Sequence, residues 1–432
     1  MTRLIPAYFA LIIVILGACS SRAPEIKTED VRRIVSTLAS DEMEGRRAYS
    51  AGIEKAARFI ESELSVIGLE PLQNAQGFRQ EFSAFQLTPT DVKLALDGSE
   101  VPLANVFFLP STDSLSWEAG DVEISVVGPS DNLGAAFGRA RRSPGDLLVI
   151  VDTAHESVFR QIQLFVSDGS RMLEMGTTGT AAFVLTDDVE VTTVEATAAF
   201  RVDTLALTNL VAKIDGERAN EVVLFSAHYD HLGIRPAVEG DSVANGANDN
   251  ASGVTAVIEL ARYFEGMGKP ERTLMFAFFT AEEMGGYGSH YFSEQLNPDH
   301  IVAMFNLEMI GKPAVSGPNT AWITGFEKSD FGEILQRAVE GTEYSFHPDP
   351  YPHQNLFYRS DNATLARKGV PAHTISTTPI DVDPDYHKVS DQVETLDFEH
   401  MTNTIQAVVA GARTIISGEA TPTRVGLGST AE

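Results

Sequence analysis

Between Asn209 and Gly418 short apolar runs alternate with helical patterns, and the apolar runs lead into carboxylates and imidazoles. Candidate strands are 222–226, 273–280, 302–307, 321–324 and 372–377; candidate helices are 252–265, 288–295, 330–340, 362–368 and 398–416. A parallel crossover needs a helix to return the chain, so this alternation builds a mixed, largely parallel sheet with helices on both faces. The expected fold class is α/β. In such sheets ligands sit beyond the carboxyl ends of the strands.

Those ends carry the chemistry. Strand 222–226 runs into Ala227-His228-Tyr229-Asp230-His231, and Gly246-Ala247-Asn248-Asp249-Asn250 stands just before helix 252–265. Strand 273–280 ends in Ala281-Glu282-Glu283, strand 302–307 in Glu308-Met309-Ile310-Gly311, and Asp385-Tyr386-His387 follows the last strand. Singly, each has a bland explanation: a hydrogen-bonded histidine, a solvated glutamate pair, Asp249 capping a helix. As a set they point to a metal site, because acids that follow apolar strands are costly to bury uncompensated. The chain has one cysteine, so the ligands must be imidazole and carboxylate, which suit zinc, with manganese or cobalt as substitutes. Two histidines and three acids exceed the needs of one tetrahedral ion with an open position. They suit two ions about 3.5–4 Å apart that share a carboxylate. Asp249, with two oxygens, is the candidate bridge.

His228-Tyr229-Asp230, Gly246-Ala247-Asn248-Asp249-Asn250, Ala281-Glu282-Glu283, Asn306-Leu307-Glu308 and Tyr386-His387 resemble, in order and spacing, the co-catalytic di-zinc exopeptidases. That family includes secreted bacterial aminopeptidases, the glutamate carboxypeptidase and the transferrin receptor ectodomain, on a phosphorylase/hydrolase-like fold. Asp41-Glu42-Met43-Glu44-Gly45-Arg46 is similar to the bacterial branch. The resemblance implies two Zn2+ per chain. His228 and Glu308 would complete one, Glu283 and His387 the other, and Asp249 would bridge. It implies Asp230 as the carboxylate that orients the His228 imidazole, and Glu282 as the general base. Glu308 stands where many relatives have Asp, and Asn248 replaces a common Asp beside the bridge. Tyr358 reads as a core aromatic rather than an oxyanion donor, and Arg359 as a structural ion-pair partner.

The rest of the chain divides as follows. Residues 1–18 read as an export signal, with Arg3 before an apolar run too short for a membrane span. Leu16-Gly17-Ala18-Cys19 resembles a bacterial lipobox, which implies cleavage before Cys19, its acylation, and lipid anchoring in the bacterial cell envelope. Ser20 and Ser21 follow, with no Asp, so the expected destination is the outer membrane, facing the periplasm. A tether covers 19–28. Segment 29–86 holds two amphipathic helices, about 29–38 and 52–67, the second stopped by Gly68. Segment 87–200 reads as an inserted β-rich subdomain with few long helical patterns, placed like a protease-associated domain. The zinc peptidase domain is 201–418, and 419–432 is a flexible tail.

The acid excess in the site favours a cationic α-amine, hence N-terminal trimming of peptides. Arg359 and Lys368 are possible clamps for the opposite, carboxypeptidase, direction. A net charge of −28 excludes nucleic acid as an expected partner. The rival readings are a glutaminyl-peptide cyclotransferase on the same fold and a binding module that has lost activity. The sequence contains no Gly-x-Ser-x-Gly and no His-Glu-x-x-His. It leaves open the oligomeric state.

Overall fold

The computed structural model describes residues 24–72, 75–118, 120–188 and 190–426. Its main sheet is mixed. Strands Ile301–Leu307, Arg218–His228 and Arg272–Phe279 lie side by side at the centre, with Arg218–His228 parallel to both neighbours. Ala372–Ser376 continues the parallel run beside Ile301–Leu307, and Thr320–Ile323 with Ser345–Pro348 closes that edge. Arg272–Phe279 and Ile301–Leu307 are buried nearly along their length, and Arg218–His228 from Val222 onward, as expected of strands covered on both faces. Phe225 stacks on Phe264, Phe276 and Phe305, with ring centroids 5.7, 5.6 and 5.0 Å apart. Helices Thr28–Leu38, Ala51–Ile67, Gly253–Gly266 and Phe398–Ile416 pack over this face. Helix Ala51–Ile67 starts where Ser50 Oγ accepts the Ile53 N–H, and it stops at Gly68, which takes the left-handed φ of 94°.

The opposite edge was not foreseen. Strands Arg79–Leu96 and Val194–Ile214 form one continuous antiparallel ladder from Leu210↔Arg79 to Val194↔Leu96, with a bulge at Ala199/Phe200. Near its end, Leu210–Ile214 pairs with Arg272–Phe279 of the main sheet. The expected boundaries at 87 and 200 therefore fall inside strands rather than at linkers. The outer half of the ladder carries a second, four-stranded sheet in the order Val106–Leu109, Ala181–Leu185, Leu147–Val151, Glu123–Val127. One face of that sheet packs on the ladder through Phe108, Leu148, Ile150, Leu94 and Phe200. The other is covered by helices Leu133–Ala140 and Glu156–Phe165. This region is thus α/β, with parallel pairs, rather than simply β-rich. Its helices are short, and Gly and Ala in the first blur the apolar period.

Both expected loose ends are corrected where they are described. Ile26 is buried in the main core, so the tether ends earlier than residue 28. Residues 419–426 are docked: Arg272 donates to Ala420 O and Thr421 Oγ1, and Val425 is buried with its N–H on Gly369 O. Cys19 and the segment through residue 23 lie outside the described residues.

Candidate functional site: a carboxylate and imidazole cluster at the strand ends

Parallel register brings the site together. His228 pairs with Phe279, and Ser226 with Asn306, so His228, Glu282-Glu283 and Glu308 leave the sheet at one edge. Ala281, Met309 and His387 all hold left-handed backbone (φ 58°, 53° and 59°), unusual for non-glycine residues. Each lies at or beside a cluster side chain, and such backbone persists where the surroundings over-determine it.

Asp249 is the centre. Its Oδ1 lies 3.4 Å from His228 Nε2, which is 4.0 Å from Glu308 Oε1. Its Oδ2 lies 3.2 Å from His387 Nε2, which is 3.3 Å from Glu283 Oε2. One oxygen thus faces His228, which neighbours Glu308, and the other faces His387, which neighbours Glu283. Two donors on one tetrahedral zinc, each about 2.0–2.1 Å from it, stand about 3.3 Å apart. The pairs Asp249–His228, Asp249–His387 and His387–Glu283 stand near this spacing, His228–Glu308 is wider, and among the described residues the three ligand atoms that all lie within 4.8 Å of one another belong to His231, Asp249 and Glu283. His228 Nε2 is buried without a hydrogen-bond partner, an orphan that a cation would satisfy.

The charge distribution asks for cations as well. Burial, with Glu308, Asp361 and the other acids nearby, raises Glu282 well above the carboxylate range; burial and Asp249 do the same to Glu283. Burial pushes Glu308 and Asp230 up to about 7. Asp361 is buried, and burial raises it well above the carboxylate range. So many carboxyls cannot ionise together without compensating positive charge. Burial also holds His228 below its ordinary value, leaving a neutral imidazole, the form that binds metal.

Long-range contacts position the cluster. The Asp391 carboxylate accepts the N–H groups of Asn248 (2.9 Å) and Asp249 (3.0 Å). Asn250 Oδ1 accepts from Gly253 N and Met309 N, and Asn248 Oδ1 from Gly311 N, so the Asp249 loop is sewn to the loop bearing Glu308. Asp249 itself caps no helix. Asp230 differs from expectation. Its carboxylate accepts the N–H groups of Glu282 (3.0 Å) and Glu283 (3.3 Å) and stays 3.8 Å from His228 Nδ1, which faces the Asp230 carbonyl at 3.2 Å. Its side chain fixes the glutamate pair, and its backbone fixes the imidazole.

His231 was quoted in the sequence without a role. It is buried, and its Nδ1 lies 2.9 Å from Glu283 Oε1 and 3.8 Å from Asp249 Oδ2. Its signal was a second histidine three residues after the first at a strand exit. Tyr386 is also added: it stacks on His387 at 3.9 Å and lines a small cavity of about 60 Å³ beside Glu308, with Met309, Trp322, Leu356 and Ile380. Tyr358 is 43% exposed, so it is not a core aromatic; its neighbour Phe357 fills that place. Arg359 bonds Gln354 Oε1 at 2.9 Å and has no carboxylate partner among the described residues. Lys368 is paired with Glu294.

Residues 209–412 match the family described as Peptidase family M28. The chain is 29% identical over 214 residues to leucine aminopeptidase 1 of Trichophyton rubrum, covering 46% of this chain and 56% of that protein. It spans about half the length of the curated relatives it matches. Among solved structures it is similar to an aminopeptidase from Aneurinibacillus sp. strain AM-1, with TM-score 0.54, 19% identity, and coverage of 94% of this chain and 97% of that one. It is also similar to a zinc aminopeptidase from Bacillus subtilis, with TM-score 0.55, 16% identity, and coverage of 92% and 97%. At these identities the structural likeness speaks for the fold.

Proposed function

We propose that this chain, which matches peptidase family M28 over residues 209–412, is a metal-dependent aminopeptidase that removes N-terminal residues from peptides. The observation that carries the reading is the pair of donor sets on the two oxygens of Asp249. We assign His228, Asp249 and Glu308 to one zinc and Asp249, Glu283 and His387 to a second, with manganese or cobalt as substitutes. When bound, such ions polarise a carbonyl and lower the pKa of water. The protein's own groups do the rest. Glu282 takes a proton from the attacking water and returns it to the departing amine nitrogen. Asp230 holds the Glu282 and Glu283 backbone, so base and ligand keep their separate directions. The surplus of carboxylates receives the substrate's α-ammonium, and the cavity walled by Trp322, Leu356 and Met309 receives an apolar N-terminal side chain. The curated relatives named as leucine aminopeptidases support that preference.

The apolar run of residues 4–16 and the sole cysteine at Cys19 support anchoring by acylation in the envelope of a bacterial cell. Mass spectrometry of the membrane fraction tests this; an unacylated mature chain removes it. The activity is tested with leucine anilide. Turnover is expected to stop with a chelator and return with zinc. Glu282→Gln is expected to keep two metal ions by elemental analysis and to lose about 10²–10⁴-fold in kcat. Full turnover in Glu282→Gln, or in metal-free protein, overturns the mechanism.

A further inference from the structure

A cavity of about 700 Å³ opens from the Glu283 and His231 side of the cluster, between the peptidase body and the inserted region. Four guanidiniums line it. Arg47 follows the turn Asp41–Arg46, and Arg235 lies in strand Gly233–Val238, both on the body. Arg141 ends helix Leu133–Ala140, and Arg171 lies in strand Ser170–Met172, both on the inserted region. The walls face one another: burial raises the Tyr287 phenol on the body, and Arg141 and Arg171 pull it the other way.

The grouping is unexpected in a chain of net charge −28. Other arginines pair with acids, among them Arg79 with Glu54 and Glu61, Arg262 with Glu63 and Arg272 with Glu221. Among the described residues none of the four cleft arginines has a carboxylate within ion-pair distance. Arg171 Nε has Gln86 Oε1 at 3.1 Å. Glu174 is the one carboxylate besides Glu283 on the lining. Arg47, Arg141 and Arg235 are exposed, so packing does not require their charge. Four like charges across one gap repel, and an anion that bridges them relieves this. The planar fork of arginine suits a carboxylate in particular.

We propose that this cleft binds a carboxylate on the leaving-group side of the substrate, so that the enzyme prefers peptides with an anionic group downstream of the scissile bond. The proposal rests on the aminopeptidase reading for direction. With the α-ammonium held among the acids, the remainder of the peptide leaves past Glu283 into the cleft at about 3.3–3.6 Å per residue. The resulting polarity, acidic at the reacting end and basic beyond it, matches a peptide carrying a carboxylate downstream. The carboxylate can be the C-terminal one of a short peptide or an acidic side chain.

Two substrate pairs separate these sources: Leu-Ala-Ala against its C-terminal amide, and Leu-Ala-Asp-Ala-amide against Leu-Ala-Asn-Ala-amide. For at least one pair, KM is expected to be about tenfold or more lower for the charged member, and the ratio to fall as salt rises. In the Arg141→Gln/Arg235→Gln double variant the ratio is expected to fall toward one. Calorimetric titration of Glu282→Gln with the same peptides reads the same ratio in Kd without turnover. Failure of wild type to cleave either peptides or leucine anilide counts against the aminopeptidase reading, and the Kd ratio then decides the cleft alone. Equal KM and Kd within both pairs, or a preference that survives the double substitution, overturns the proposal.

Discussion

Arg46 is 1% exposed and, among the described residues, has no carboxylate within ion-pair distance. Its Nε donates to Tyr229 O (3.0 Å), Nη1 to Leu38 O (2.7 Å) and Asn245 O (2.5 Å), and Nη2 to Gly246 O (2.9 Å). Arg46→Met keeps most of the volume and removes every donor. Gly246 O retains the Ala251 N–H at 3.2 Å, so three buried carbonyls are orphaned. At roughly 2 kcal/mol for each unmet group, the loss is about 6 kcal/mol. Against this, the variant escapes the cost of burying a cation. Burial lowers the Arg46 pKa from 12.5 to about 10, which corresponds to about 3 kcal/mol. The expected net destabilisation is about 3 kcal/mol. The harm should concentrate at the cluster, since Tyr229 precedes Asp230, and Asn245 and Gly246 lead into Asp249. Urea unfolding followed by circular dichroism, with metal content measured on the same samples, reads both effects. Arg46→Lys, which cannot reach four carbonyls at once, should fall between wild type and Arg46→Met. An Arg46→Met protein within about 1 kcal/mol of wild type that holds its metal equally well refutes the assignment of Arg46 as the clamp on these loops.

Lys312 Nζ pairs with Asp383 (2.5 Å) and Asp385 (2.8 Å), tying down the loop that bears His387. Lys312→Met should weaken metal affinity by about 10–100-fold, as loss of ligand support does, measured by chelator competition; unchanged affinity refutes this role. His373 is buried against Phe331, between Ser329 and the Thr324 carbonyl, and burial lowers its pKa to about 4. The unfolded chain titrates near 6.5, so it binds the proton first as pH falls. Stability is intact above pH 6.5 and is lost progressively down through pH 4, by about 3 kcal/mol for this residue. His373→Gln should lose less stability than wild type between pH 7 and pH 4.5 in matched urea titrations; equal losses refute it.

The cluster at His228, Glu282-Glu283 and Glu308 is legible because each group follows an apolar strand, and parallel register turns that adjacency into a shared edge. Their supports are not. Arg46 reaches Gly246 across 200 positions, and Asp391 reaches Asn248 across 143, and no local pattern encodes such a partner. Asp230 shows the difference between identity and role. The sequence places it beside His228, but which N–H its carboxylate accepts depends on how the adjoining strand exit turns at Ala281. Tyr358 was placed in the core on aromatic character alone. The backbone instead gives that place to Phe357, and Tyr386 comes to the cluster because its loop ends on His387. The long ladder escaped notice because its buried positions near one end, Val194, Ala196 and Ala198, alternate with polar residues but are mostly alanine, a weak strand former.

That ladder bears on how the cleft can work. A domain joined by flexible linkers would present Arg141 and Arg171 at a variable distance from Glu283. Here the linkers are two strands paired without interruption except at Ala199/Phe200, and the inner end of one belongs to the main sheet. Strand Ser170–Met172 pairs with Phe85, Gln86 and Leu87 on the same ladder, so the backbone of Arg171 is tied to the sheet that carries Glu282 and Glu283. Opening this wall would break backbone pairs rather than swing a hinge. Charges whose backbone is fixed discriminate by position as well as by sign, because the ligand can draw the side chains to itself only within their own reach. A carboxylate that falls short of the arginines therefore forfeits their attraction, and discrimination by length follows from the same geometry as discrimination by charge.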